Sequence, residues 1–234
     1  SSEDGRFRLD AEEVIKLLDL IALRGQWFAT ALFFVNPTKE EGFLMHIDPN
    51  LYQGRPADCT GRLDREIACY DLLDALGISY TRADHDAADT IADCHAIEGL
   101  LGAAICKNLV LCNRQKTDFY LLLMEGDKPF RTKDLSKQIG SSRLSFAAPE
   151  DMEQYLGVTP GSATILSLMN DKEHRVKLIL DKSIAEADRF GCHPCINTST
   201  LNLSMPEMRA KFLPHLGIEP MLVDLPDVRE ETDA

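Results

Sequence analysis

Between Gly191 and Ser204 the sequence reads GCHPCINTSTLNLS, with an imidazole, a carboxamide and two threonine hydroxyls within a few positions. His193, Asn197, Thr198 and Thr200 can line a small polar pocket that offers donors and acceptors without a strong nucleophile. A loop histidine satisfied by backbone, followed by ordinary polar strand positions, fits the same spacing. Cys192 and Cys195 flank the His193-Pro194 pair. A structural zinc site needs four ligands, usually a second cysteine pair or two closely spaced histidines, and neither accompanies this pair. A redox pair should open a helix, where the dipole lowers a thiol pKa. NTSTLNLS alternates as a strand does, so the cysteines read as small apolar residues. No metal or cofactor is expected.

Two further stretches could do chemistry. Lys107-Asn108 opens a β-rich run after the apolar AAIC. A lysine there is ordinarily solvated, but it can also aim an ammonium into a cleft and hold a phosphate or a developing anion. Pro160-Gly161-Ser162 forms a turn whose amides could serve as oxyanion donors, and Ala163, Thr164 and Ile165 continue it. An ordinary helix-to-strand loop is the alternative. GxGxxG, GxxxxGK and GxSxG are all absent, which argues against dinucleotide binding, a phosphate loop and a serine-hydrolase elbow.

The elements that must position these residues can be read from periodicity. A helix is expected over 10–25 and a strand over 30–36, followed by a turn-rich linker with a boundary near residue 60. RLDREIACYDLLDALG reads as a helix capped by Asp64, ISYTRADH as a strand, and TIADCHAIEGLLG as a second helix. Residues 104–124 read as a β-hairpin about a polar turn. KDLSKQIG, PEDMEQYLG and MPEMRAKFLPHLG read as helices, and RLSFA, SATILSLMND and HRVKLILD as strands. Hairpin-length links among intermingled strands and helices point to α+β, with a mixed, largely antiparallel sheet.

Composition narrows the classes. The net charge of −13 disfavours broad nucleic-acid binding, yet residues 103–145 carry 8 basic and 4 acidic side chains, an island able to hold a short phosphate backbone. A solvated charged face would look the same. Seven scattered cysteines favour a reduced, cytoplasmic protein over a disulfide framework. No apolar run is long enough to span a membrane.

Taken together, Lys107-Asn108-Leu109, RLSFA, LGVTPGSATILSLMND, HRVKLILD and HPCINTST, in that order, resemble the YbaK-like, prolyl-tRNA synthetase-associated editing domain family. Within it the chain is most similar to freestanding deacylases that clear alanine from mischarged proline tRNA. The resemblance covers residues 63–216 and implies a compact α+β fold around a mixed, barrel-like sheet with surrounding helices. The implied domains are an N-terminal extension over 1–60, an editing domain over 61–220 and a tail over 221–234. The implied activity is hydrolysis of the ester on mischarged Ala-tRNA(Pro), with proline excluded by pocket size. Cysteinyl-tRNA as substrate and a non-catalytic synthetase- or tRNA-binding module are the alternatives. Lys107, Gly161 and His193 are implied as catalytic. Asn108, Ser162, Ala163, Thr164, Ile165, Asn197, Thr198 and Thr200 are implied as substrate-binding. Expected partners are the aminoacylated CCA end of tRNA and prolyl-tRNA synthetase. Ile165 stands where the family's loop has proline, and Cys195 where it has leucine.

Overall fold

A computed structural model describes residues 45–88 and 90–227. The helix expected over 10–25 and the strand expected over 30–36 lie outside those residues. The chain is α+β, and its described residues form two open sheets and seven α-helices, not a closed barrel. The first sheet is antiparallel throughout, in the order β1 (Tyr52–Gln53), β2 (Thr81–Asp84), β8 (Ser199–Ser204), β7 (Arg189–Cys192). The second has the order β5 (Leu144–Phe146), β3 (Cys106–Asn113), β4 (Phe119–Glu125), β6 (Val176–Asp181), β9 (Met221–Val223). Here β4–β6 and β6–β9 run parallel, because long crossovers separate them in sequence.

The sheets meet at one parallel bridge, Ile105 to Gly191, where the Gly191 amide donates to the Ala104 carbonyl at 2.7 Å. A Cβ on Gly191 would stand 2.8 Å from Ile105 Cγ1, so only glycine allows this approach. Chain on the near side of residue 60 shares the first sheet, since Tyr52 and Gln53 pair with β2 and Ile47 bridges His85. Met221–Val223 likewise joins the second sheet as its edge.

The β3–β4 hairpin forms as its sequence predicts, and alternation sorts its side chains. Val110, Cys112, Leu121 and Leu123 face the main core with Phe190, Leu201, Leu203, Tyr70 and Phe212. Leu111, Tyr120, Leu122 and Met124 face a second core closed by Leu135 and Val223. Each fully buried side chain of this size contributes about 2 kcal/mol of apolar transfer.

Helix α1 (Asp64–Ala75) differs from expectation at its start: Leu63 precedes it and no side chain caps it. Asp64 is instead the first helical residue, where its charge meets the positive end of the helix. α2 (Ile91–Leu101) begins in a reciprocal cap, in which the Thr90 hydroxyl accepts from the Asp93 amide and the Asp93 carboxylate accepts from the Thr90 amide. α3 (Thr132–Ile139) and α4 (Pro149–Leu156) form where expected.

The apolar run after Thr164 is not a strand but a 3-10 helix, Ile165–Asn170. The Thr164 hydroxyl accepts from the Leu166 amide, Ser167 Oγ donates to the Thr164 carbonyl at 2.6 Å, and Asn170 donates to the Leu156 carbonyl. These side-chain bonds replace the ladder a strand would need. After the short α5 (Lys182–Ala185) and β7–β8, the last helical stretch is also irregular. It runs as α6 (Met205–Glu207), a π turn (Met208–Phe212) and α7 (Leu213–His215). Pro214 has no N–H to return to Ala210, which interrupts the α pattern there.

Candidate active site

A cleft of about 370 Å³ opens where four segments converge. The start of α1 contributes Gly61, Arg62, Leu63, Arg65 and Glu66, and the end of β2 contributes Asp84 and His85. The turn after α4 contributes Thr159 and Ser162, and the β7–β8 connection contributes Ile196, Asn197 and Thr198. Backbone bonds lock the end of β2 to the β7–β8 connection: the His85 amide donates to the Thr198 carbonyl and the Ala88 amide to the Asn197 carbonyl, both at 3.1 Å.

Of the residues the sequence singles out, Ser162, Asn197 and Thr198 line this cleft. Gly161 adjoins it: its φ of +85° is left-handed, and a Cβ there would stand 3.7 Å from Asn197 Nδ2. The Ser162 amide is bound to the Thr159 carbonyl. The Gly161 and Ala163 amides therefore remain as donors of the turn without a partner among the described residues. Ala163, Thr164 and Ile165 are buried, Ala163 and Ile165 within the main core, and none of the three lines the cleft.

His193 and Thr200 sit behind the cleft in a chain of hydrogen bonds. His193 Nδ1 donates to the Ser199 carbonyl at 2.9 Å, with Thr200 Oγ1 3.2 Å away. His85 Nδ1 donates to the Asp86 carbonyl at 2.7 Å. A carbonyl only accepts, so in each neutral ring Nδ1 carries the proton and Nε2 the lone pair. The Thr200 hydroxyl then donates to His85 Nε2 at 2.8 Å and accepts from His193. Burial holds His193 at about pKa 4 and lowers His85 as well. Both imidazoles are neutral at physiological pH, and neither carries an anchoring positive charge.

Lys107 and Asn108 do not line the cleft. The Lys107 side chain lies on the β3 face shared with Leu109 and Leu111, and its ammonium donates to the Lys128 carbonyl at 3.0 Å. Lys128 is itself fixed by a buried pair to Asp181 at 2.7 Å. Asn108 donates to the Cys106 carbonyl at 3.0 Å. The two sheets still bring the segments together, for Lys107 and His193 each lie two residues beyond the Ile105–Gly191 bridge.

Several residues at the site escaped the sequence reading. Arg62 bridges Glu66 and Asp84, with the Asp84 contact at 2.6 Å, and Glu66, almost wholly buried, also accepts from Tyr70 OH at 2.8 Å. Arg82 donates to the other Asp84 oxygen at 3.0 Å. This network ties α1 to β2 and fixes one cleft wall. Glu66 lies one helical turn after Arg62 in the sequence, which was a detectable pairing signal. The reach to Asp84 and His85 is tertiary. Cys192 and Cys195 are fully buried, and Cys195 Sγ lies 3.5 Å from Cys69 Sγ. Burial raises the Cys192 thiol well above its ordinary value, which leaves it protonated.

Comparison with known proteins places these features in context. Residues 85–211 match the model of the aminoacyl-tRNA editing domain. The prolyl-tRNA editing protein ProX of Acetoanaerobium sticklandii is 31% identical over 146 residues, covering 62% of this chain and 89% of that protein. The prolyl-tRNA synthetase associated domain-containing protein 1 of Xenopus laevis is 31% identical over 167 residues, covering 70% of this chain and 97% of that protein. The crystal structure of hypothetical protein APE2540 shares the fold with a TM-score of 0.53 at 16% identity, covering 68% of this chain and 98% of that one.

Proposed function

Because the chain belongs to the aminoacyl-tRNA editing domain family, we propose that it is a trans-acting deacylase for mischarged proline tRNA, with alanine as the amino acid removed. The observation that carries this reading is the cleft itself. It is small and polar, walled by Ser162, Asn197 and Thr198, and backed by the His85–Thr200–His193 chain. Its carboxylates, Glu66 and Asp84, are held by Arg62 and Arg82, and an aminoacyl ester needs no protein nucleophile. Water adds to the ester carbonyl, the carbonyl oxygen becomes an oxyanion, and collapse expels the ribose hydroxyl as alcohol and frees the amino acid.

The Gly161 and Ala163 amides would face the developing oxyanion, an effect worth about 3 kcal/mol for one well-placed donor. Asn197 and Thr198 would orient the aminoacyl group. Neutral His193, bound to the Ser199 carbonyl and to Thr200, would hold the 197–198 wall that positions the ester. Lys107, turned to the other sheet face, would act through its strand, holding the start of β3 beside the His193 segment by its bond to the Lys128 carbonyl. Asn108 would support that strand from within. Size would choose the substrate, since a synthetase pocket gains only about 1 to 3 kcal/mol from a methylene the smaller amino acid lacks. A second site that admits alanine and rejects proline removes the residual error. Prolyl-tRNA synthetase is the natural partner for such a correction.

The test is deacylation of alanyl-, cysteinyl- and prolyl-charged tRNA by wild type, Lys107→Ala and Asn197→Ala. Alanyl ester should be cleared, and both variants should lose at least about tenfold in kcat/KM. Clearance of cysteine alone would move the specificity. Turnover unchanged in both variants would remove the cleft from the reaction.

A further inference from the structure

Four charged side chains line the cleft, and three of them are closed among themselves. Arg62 is shared by Glu66 and Asp84, so its guanidinium is already neutralised by protein carboxylates. Arg65 is different. It lies in the first turn of α1 and is only partly exposed. Among the described residues no carboxylate, carbonyl or hydroxyl accepts from its guanidinium, and its Nε is buried without a partner. Its backbone is held in the helix, where its carbonyl also accepts from Cys69 Sγ. A partly desolvated cation that forms no ion pair among the described residues is costly unless something else supplies the negative charge.

The chemistry of an aminoacyl-tRNA limits what that can be. The amino acid's carboxyl is tied up in the ester and its amino group is cationic. The anion the substrate brings is the phosphodiester of the acceptor end, whose paired oxygens match the guanidinium fork. Leu63, 50% exposed at the same edge of the cleft, offers apolar surface against which an adjoining ribose or base can pack.

We infer that Arg65 binds a backbone phosphate of the tRNA acceptor end at the mouth of the cleft. The inference rests on the deacylase reading and adds a phosphate contact from α1. It also explains how a chain of net charge −13 can engage RNA, since the contact is a single local cation in a shaped wall and not a broad basic face.

The test uses the full chain and direct binding. One probe is an RNA minihelix ending in CCA, with alanine joined to the terminal ribose through a non-hydrolysable amide. The second is the same RNA with its last two linkages replaced by uncharged methylphosphonates. Wild type should bind the phosphate probe about tenfold or more tighter than Arg65→Gln, and the two proteins should bind the methylphosphonate probe equally. The salt dependence for the phosphate probe should flatten by about 0.7 in log–log slope in the variant. Arg65→Lys, which keeps the charge but not the fork, should fall between them. Equal binding of the phosphate probe by wild type and Arg65→Gln overturns the inference. So does an equal loss on both probes, or no binding of the phosphate probe by wild type. In each case hydrolysis of alanyl-tRNA by wild type would still stand on its own, so failure of the contact is separable from failure of the proposed function.

Discussion

Acidification should destabilise this protein through His193. The ring is 7% exposed, its Nδ1–H is committed to the Ser199 carbonyl, and burial brings its pKa to about 4 from an ordinary 6.5. The folded value lies below the unfolded one, so the unfolded chain takes up the proton first. Stability is therefore full above about pH 6.5 and is lost as pH falls toward 4. At 1.36 kcal/mol per pH unit the complete loss is about 3 kcal/mol, and about 2 kcal/mol of it has gone by pH 5. His85, also lowered by burial, acts in the same direction, so the contribution of His193 must be isolated by substitution. His193→Gln keeps an amide able to donate to the Ser199 carbonyl and removes the titration. Urea unfolding of wild type and His193→Gln at about pH 7 and about pH 5 measures the difference. Wild type should lose about 2 kcal/mol more than the variant over that interval. Equal losses would show that the ring does not sit neutral and buried as described.

Other perturbations probe the same site. Thr200→Val removes the hydroxyl that links the two rings and leaves His85 Nε2 without its donor, which should cost about 1 to 3 kcal/mol in urea unfolding. Gly161→Ala forces a side chain onto a φ of +85°; the nearest atom, at 3.7 Å, is in ordinary contact, so the cost is backbone strain of about 1 to 2 kcal/mol, read as a lowered Tm. Glu66→Gln leaves Arg62 short of one of its two carboxylates and should destabilise by about 3 kcal/mol by the same assay; a loss under about 0.5 kcal/mol would mean that the pair carries little.

The parts of the fold legible in sequence are those set by local pattern. The 106–125 hairpin follows from two alternating β-rich runs about a polar turn, and α4 from Pro149 at its start and Gly157 at its end. The stretch 165–170 reads as a strand in sequence because TILSLM is a short apolar run opening on two β-branched residues, Thr164 and Ile165. What decides its shape is the Thr164 hydroxyl, Ser167 Oγ and Asn170 reaching neighbouring backbone groups, and binary patterning does not register those bonds. At the site, Ser162, Asn197 and Thr198 could be picked by type and spacing. His85, Arg62 and Arg65 could not, because they meet 197–200 only through the β2–β8 pairing and the docking of α1, across more than 100 residues of chain. Lys107 shows the converse limit. Its place in sequence suggests an ammonium in the cleft, while alternation along β3 turns it to the opposite sheet face, onto the Lys128 carbonyl.

The most direct measurement is single-turnover hydrolysis of alanyl- and prolyl-charged proline tRNA by the wild-type chain at saturating protein. A cleft that admits the smaller side chain and stabilises its oxyanion should clear the alanyl ester well above the uncatalysed rate and leave the prolyl ester at background. Clearance of both at one rate, or of neither, would contradict it.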